Sequence, residues 1–120
     1  MRKFSIKERL KSFRYAFRGL HHLLKHEHNS RIHLAAAILA TGMGLVFKIT
    51  AGEWIALVLV IALVFITEII NTSIEKMVDL IKPVKDSRAG LIKDLASASV
   101  LVAAAAALIT GLIIFLPKII

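Results

Sequence analysis

The chain passes from a mixed polar and apolar N-terminal stretch into three long apolar segments. In the N-terminal stretch, large apolar residues recur at steps of three and four, which is the period of an α-helix, and basic residues fill other positions. This pattern predicts a basic amphipathic helix over residues 1–28 that lies on a membrane surface. A helix packed on a soluble core is less favoured, because the rest of the chain is so apolar. The periodic apolar positions are Leu10, Phe13, Phe17, Leu20 and Leu24.

The three apolar segments are predicted to be membrane spans. A crossing helix needs about 20 residues, and only the third segment, residues 95–116, reaches that length without charged residues. The first two must include polar flanks, so that His33, Lys48 and Glu68 would sit near or inside the membrane interface. We predict spans near residues 30–49, 53–80 and 92–116.

Two short stretches, ITAGEW and KPVKDSRAG, are predicted to separate the spans. In the second stretch, Pro83 and Gly90 are both expected to break the helix. The chain is therefore predicted to be an all-α membrane protein that forms a single domain over residues 1–120. The third span is rich in alanine and serine, and small residues allow helices to approach closely in lipid. Because three spans enclose little interior, we expect an oligomer.

Composition supports the membrane class and narrows the partners. Hydrophobic residues make up 58% of the 120 residues, above the usual share in soluble domains. The chain has no cysteine, which excludes disulfides and thiolate metal sites. The net charge of +8 favours anionic lipid headgroups and a phosphorylated ligand over nucleic acid, because no nucleic-acid-binding module accompanies the charge.

The basic residues are unevenly distributed between the predicted loops. The first loop contributes only Lys48 and the C-terminal tail only Lys118. By the positive-inside rule, the N-terminus and the second loop face the cytoplasm and the C-terminus lies outside. The basic residues on the predicted cytoplasmic side are Arg2, Lys3, Lys7, Arg9, Lys11, Arg14, Arg18, Lys25, Arg31, Lys76, Lys82, Lys85, Arg88 and Lys93.

Acidic and amide residues follow the second apolar run directly. Glu68, Asn71, Glu75 and Asp79 share one face of a helix at 100° per residue. Like charges at this spacing repel each other unless a cation or a proton compensates, and ionisable residues inside a membrane are candidates for function. The structural alternative is an interfacial polar patch that packs against Arg31 or Lys93.

The residue types in this constellation suit phosphoryl transfer. Carboxylate and amide oxygens are hard ligands for Mg²⁺, which also binds phosphate oxygens. A further carboxylate can take the proton of an attacking hydroxyl, and Lys93 can offset phosphate charge. Neither a Walker A motif nor a G-x-G-x-x-G motif is present, so a nucleotide site would be built differently.

The chain resembles the prokaryotic diacylglycerol kinase family, which includes the undecaprenol kinases. The resemblance rests on EIINTSIEKMVD (residues 68–79) and KDLASASVL (93–101), with support from FRYAFRGL (13–20) and EHNSRIH (27–33). It implies a homotrimeric enzyme of the bacterial cytoplasmic (inner) membrane that phosphorylates a lipid alcohol with ATP and Mg²⁺. The acceptor would be diacylglycerol or undecaprenol, and the sequence leaves that choice open.

The resemblance also implies roles for individual residues. Glu68 corresponds to the general base, and its position deeper towards the membrane agrees with that role. Asn71 would orient the glutamates or the phosphates, and residues 84–86 fall where the family contacts the nucleotide. Arg9 does not align with an N-terminal arginine of the family, so it receives no role. The remaining assignments are Glu27 and Glu75 as metal ligands, with Tyr15, Lys93 and Asp94 as nucleotide contacts.

Two weaker patterns and one rival function complete the expectations. His22 and His26 have the spacing of a metal-binding pair, but no third ligand is apparent, so a dedicated transition-metal site is disfavoured. Arg31 and His33 are interpreted as an interfacial pair or a headgroup contact. The rival to the kinase is a non-enzymatic membrane protein, such as a channel or assembly subunit, that binds cations through its acidic cluster.

Overall fold

A computed structural model describes residues 3–120, and its regular structure consists of four helices. The predicted all-α fold is therefore confirmed. Arg2, one of the basic residues assigned to the cytoplasmic side, lies outside the described residues. The helices are α1 (Ile6–His26), α2 (His28–Phe47), α3 (Ala51–Ile81) and α4 (Ser87–Ile119).

Helix α1 begins and ends at residues that suit helix caps. The Ser5 side chain accepts a hydrogen bond from the Glu8 N–H, which satisfies a free donor of the first turn. Glu27 has extended backbone angles and separates α1 from α2. Every residue from Ile6 to His21 is exposed in the isolated chain, so the apolar side chains of α1 are left without cover.

Helices α2, α3 and α4 are long and apolar enough to cross a membrane. Their lengths of 20, 31 and 33 residues agree with the three predicted spans. The breaks between them fall at residues 48–50 and 82–86, so Pro83 lies in a break as predicted. At the first break, Thr50 and Glu53 form a reciprocal capping box that starts α3.

The prediction that Gly90 breaks the helix is wrong. Helix α4 begins at Ser87, and the Gly90 N–H donates to the Asp86 carbonyl oxygen within the first turn. The Asp86 carboxylate accepts from the N–H groups of Arg88 and Ala89. This N-cap satisfies two free donors, and it outweighs the cost of a glycine, about 1 kcal/mol.

Helix α3 packs along α4 more extensively than any other pair of helices packs. The main apolar core lies at the end of the bundle away from Glu68, where Ile49, Leu57, Ile114 and Phe115 are buried together. The buried polar side chains, Ser30, Glu68 and Thr72, lie on α2 and α3.

The chain buries few side chains for its length. Large apolar residues of the three long helices are widely exposed, including Leu59 at 63%, Leu101 at 71% and Ile113 at 69%. Such a surface is stable only against lipid tails or partner chains.

Candidate functional site

Helix α3 carries three polar residues of the predicted site without a break in the helix. Glu68 is buried, with 4% of its surface exposed, whereas Asn71 and Glu75 are half-buried. The Asn71 side-chain N–H donates to Glu75 Oε1 over 3.3 Å. This bond fixes the Glu75 carboxylate on the face that Glu68 shares, about 10 Å further along the helix axis.

Helix α2 contributes the wall opposite Glu68. His33 Nε2 lies 3.2 Å from Glu68 Oε1. Ser30, one turn earlier on α2, is completely buried, and its hydroxyl lies beside the same carboxylate. Both residues face α3 because they lie three positions apart on one side of α2.

Three polar atoms of this region are buried without a hydrogen-bond partner. They are Ser30 Oγ, Glu68 Oε1 and Asn71 Oδ1. Buried polar groups are nearly always paired, so a cluster of unpaired ones indicates a site that is completed by a ligand. A fourth such atom, Nε2 of His22, belongs to α1, whereas the three on α2 and α3 are oxygens, which suit a hydroxyl donor or a hard cation.

Glu27 reaches the same region from the junction of α1 and α2. It is half-buried, and both Glu27 and Glu75 lie within electrostatic range of Glu68. Three carboxylates so close together repel each other, and a bound cation would relieve the repulsion. In residues 3–120, no three side chains of the usual ligating types converge on one point. Mg²⁺ does not need such a cage, because it commonly binds one or two carboxylates together with water and substrate phosphates.

Lys93, near the start of α4, contacts the Asp79 carboxylate. The sequence placed Asp79 on the acidic face but gave it no role. Its position one turn beyond Glu75 was the available signal, and the contact links α4 to the end of the acidic face. Lys93 thereby joins the line of polar residues on α3.

Two predicted nucleotide contacts lie apart from this cluster. Tyr15 is 61% exposed on α1. It precedes Glu27 by more than three helical turns, which separates the two residues by about 18 Å along the axis. Asp94 is exposed, and its carboxylate makes no ion pair or side-chain hydrogen bond within the part of the chain that is described.

The sequence interpretation of Arg31 and His33 as a pair is wrong. The Arg31 guanidinium donates to the Lys25 carbonyl oxygen over 3.3 Å, whereas His33 faces Glu68. The two side chains diverge because they are two positions apart on a helix, where neighbours do not share a face. Ser30 was missed as well, although Glu27, Ser30 and His33 recur every three residues.

The histidines of α1 form a close pair beside the site. The rings of His22 and His26 have centroids 4.5 Å apart. The pKa of His22 is lowered, first by partial burial of its ring and then by the neighbouring His26. The His22 ring is therefore biased towards the neutral form at neutral pH.

The chain is similar to known proteins over most of its length. Residues 14–115 match the family model of the prokaryotic diacylglycerol kinases. The undecaprenol kinase of Bacillus subtilis is 39% identical over 108 residues, which cover 90% of this chain and 88% of that protein. The diacylglycerol kinase of Synechocystis sp. is 35% identical over 109 residues, covering 90% of this chain but only 62% of that protein. The chain belongs to the prokaryotic diacylglycerol kinase family.

Proposed function

We propose that the protein is a lipid kinase that transfers the γ-phosphate of MgATP to the primary hydroxyl of a membrane lipid alcohol. The observation that carries the proposal is the course of α3. This helix leaves an apolar span at Glu68, which is buried, and continues to Glu75 and Asp79 at its other end. One helix can thus meet a lipid hydroxyl at the membrane boundary and a nucleotide beyond it.

Glu68 is assigned as the general base. Its carboxylate takes the proton of the lipid hydroxyl while the hydroxyl oxygen bonds to the γ-phosphorus of ATP. The bond between that phosphorus and the β–γ bridging oxygen breaks, and ADP leaves with the electron pair. The Glu68 carboxylate suits this role, because it is buried and no lysine or arginine of residues 3–120 pairs with it.

Glu27 and Glu75 are assigned as the ligands of Mg²⁺. They come from different elements, and each supplies a half-buried carboxylate. When bound, Mg²⁺ neutralises charge on the phosphates of ATP. The hydrogen bond from Asn71 holds the Glu75 carboxylate in one orientation and leaves its second oxygen free.

The remaining assignments rest on the family resemblance. Lys93 would contact a phosphate, with Asp79 holding its ammonium group near the acidic face. Asp94 and Tyr15 would contact the nucleotide. For Tyr15, this requires either a nucleotide that extends along α1 or a neighbouring chain that brings its own α1 to the site.

We also infer a homotrimer in the bacterial inner membrane, formed by a single domain over residues 1–120. The exposed apolar surface of α2 to α4 supports burial in lipid and against other copies. Helix α1 would lie on the cytoplasmic surface with Phe13 and Phe17 towards the lipid, and the site would open to the cytoplasm, where ATP is found.

Incubation of the purified protein with labelled MgATP and either diacylglycerol or undecaprenol tests the proposal. We expect label in one or both lipids, and the ratio of the two rates identifies the preferred acceptor. Both acceptors suit the site, because each offers a primary hydroxyl and an apolar portion. A folded oligomer that labels neither lipid would favour the non-enzymatic alternative.

A further inference from the structure

We propose that His33 is a positioning residue that orients the Glu68 carboxylate towards the acceptor hydroxyl. The inference rests on the proposed function, and it assigns a task to a side chain that the catalytic scheme above leaves unused. His33 belongs to α2 and Glu68 to α3, so their contact joins the two helices at the position of the proposed general base.

The geometry favours a direct contact between the two side chains. His33 Nε2 lies 3.2 Å from Glu68 Oε1, and the side chains are 25% and 5% exposed. The contact does not have the alignment of a hydrogen bond, and Oε1 has no hydrogen-bond partner. A small rotation of either side chain aligns the pair. Catalytic hydrogen bonds often tighten in this way when substrate binds.

The surroundings of His33 supply a second observation. An apolar cavity of about 420 Å³ lies between α2, α3 and α4, and it extends from His33 to Phe115 and Ile119 near the opposite end of the bundle. Apolar side chains and one glycine form the rest of the lining, so His33 is the polar end of the cavity. Val64, which also lines the cavity, lies one turn before Glu68.

This placement gives the imidazole a specific task. When Nε2–H donates to Oε1, the other oxygen of Glu68 is left to accept the proton of a hydroxyl. Without the imidazole, a buried carboxylate has no fixed orientation on this side, because Ser30 alone remains beside it. Misplacement of a general base lowers the rate of the chemical step more than it lowers substrate binding.

Two substitutions separate this role from simple packing. His33→Leu keeps a side chain of similar bulk but removes the donor, whereas His33→Gln keeps an N–H near the position of Nε2. Ile32→Leu, at an exposed neighbour on α2, is the matched control. Steady-state kinetics of lipid phosphorylation give kcat and the KM values for MgATP and for the lipid. Gel filtration in detergent confirms that each variant remains folded and oligomeric.

We expect His33→Leu to lower kcat about 10- to 100-fold, as for the loss of a hydrogen bond to a charged group. Both KM values should change little, His33→Gln should recover most of the lost rate, and Ile32→Leu should match the wild type. If His33→Leu does not fold, His33→Met, which also lacks the donor, takes its place in the same comparison.

Several outcomes would overturn the inference. Normal kcat in folded His33→Leu would do so, as would a His33→Gln variant no more active than His33→Leu. A higher KM for the lipid with unchanged kcat would show that His33 binds the acceptor rather than orients the base. If the wild-type protein phosphorylates no lipid, the proposed function fails together with this inference, which distinguishes that result from the others.

Discussion

At the residue scale, the costly feature of this chain is a buried glutamate beside two other carboxylates. Glu68 is 4% exposed and lies within electrostatic range of Glu27 and Glu75. A buried carboxylate near like charges is costly, and stability alone would not favour this arrangement. The proposed reaction accounts for it, because a proton acceptor and a binding site for Mg²⁺ must stand close together.

The first prediction at this scale concerns Glu68. Glu68→Gln keeps the shape of the side chain but removes the proton acceptor. We expect lipid phosphorylation to fall at least about 100-fold, as for the loss of a general base. Binding of MgATP, measured by calorimetry in detergent, should stay within a factor of a few of the wild type. A variant with near-normal turnover would contradict the assignment of the base.

The second prediction concerns the metal ligands. Glu75→Gln removes a charged oxygen ligand and leaves the partner of Asn71 in place. We expect the concentration of Mg²⁺ that gives half-maximal activity to rise, and the KM for ATP to rise with it, because the metal binds together with the phosphates. Glu27→Gln should behave in the same way. If Mg²⁺ dependence is unchanged in both variants, these residues are not its ligands.

The residues of α3 were predictable from the sequence, whereas those of α2 were not. Glu68, Asn71 and Glu75 share a face because of helical geometry alone, and their charges interrupt an apolar run. The contact between His33 and Glu68 depends on how far α2 is shifted along α3. That shift is set by packing, which the spacing within a single helix does not encode.

At the element scale, the tight turn between α2 and α3 depends on a glycine. A Cβ atom added to Gly44 would lie 2.7 Å from a ring atom of Trp54 and 3.1 Å from Ile49 Cδ1. The ring of Trp54, near the start of α3, packs against the backbone of α2 at Gly44. The close approach explains why the chain keeps a residue with low helix propensity at this position.

Alanine substitutions at two glycines of α2 test this packing. Gly44→Ala should lower the thermal midpoint by an amount equivalent to about 1–3 kcal/mol, the usual cost of overpacking. Gly42→Ala is the matched control, because nothing lies within 4 Å of the added Cβ. The control should be neutral or slightly stabilising, since alanine favours a helix. Equal effects of the two substitutions would show that the contact with Trp54 is unimportant.

The N-cap of α4 predicts a dependence of stability on pH. The hydrogen bonds from the Arg88 side chain and from the backbone of Arg88 and Ala89 lower the pKa of Asp86 from its ordinary value of 3.8. Because the pKa of Asp86 is lower in the folded state than in the unfolded state, the charged cap adds stability to the fold. This stability is complete at pH values above the ordinary pKa, and it is lost as the pH falls through the pKa of the folded state.

Asp86→Asn removes the titrating group but keeps a side-chain acceptor for the cap. The wild type should therefore lose thermal stability relative to Asp86→Asn as the pH is lowered from about 6 to 3. Thermal unfolding of both proteins in detergent measures the difference. A constant difference over this range would contradict the role of the charged cap.

The ends of helices were predictable from the sequence where helix-breaking or polar residues lie at them. Pro83 and the polar stretch around it end α3 as expected. Gly90 misled the prediction, because a glycine was given more weight than the aspartate that caps the helix four residues earlier. Capping bonds are local, so this error could have been avoided from the sequence.

At the scale of the whole molecule, the length of the apolar spans determines where the polar cluster lies relative to the membrane. Helix α3 is 31 residues long, and Glu68 lies 17 residues after its start. That distance is about 25 Å along the axis, close to the thickness of the hydrocarbon core. Glu68 therefore falls near one edge of the bilayer, on the side where α3 ends and α4 begins.

The oligomer and the sidedness are the features that one chain determines least. Interfaces between copies depend on exposed faces of several helices together, and the sequence shows only that such faces are apolar. Sidedness was inferred from the charge of the loops, which is a statistical preference rather than a contact. Both inferences concern the assembled protein and require measurements on it.

The central claim is that a nucleotide from one side of the membrane phosphorylates a lipid within it. Sealed vesicles test it most directly, because the chain has no native cysteine. Two variants, Lys82→Cys and Ala51→Cys, are prepared separately. The reaction of each cysteine with an impermeant thiol reagent shows which loop faces outwards. Labelled MgATP is then added to the outside only. We predict that the amount of labelled lipid follows the fraction of protein whose Lys82→Cys thiol reacts from the outside. The account would be contradicted by no transfer, or by an amount of labelled lipid that follows the fraction whose Ala51→Cys thiol reacts.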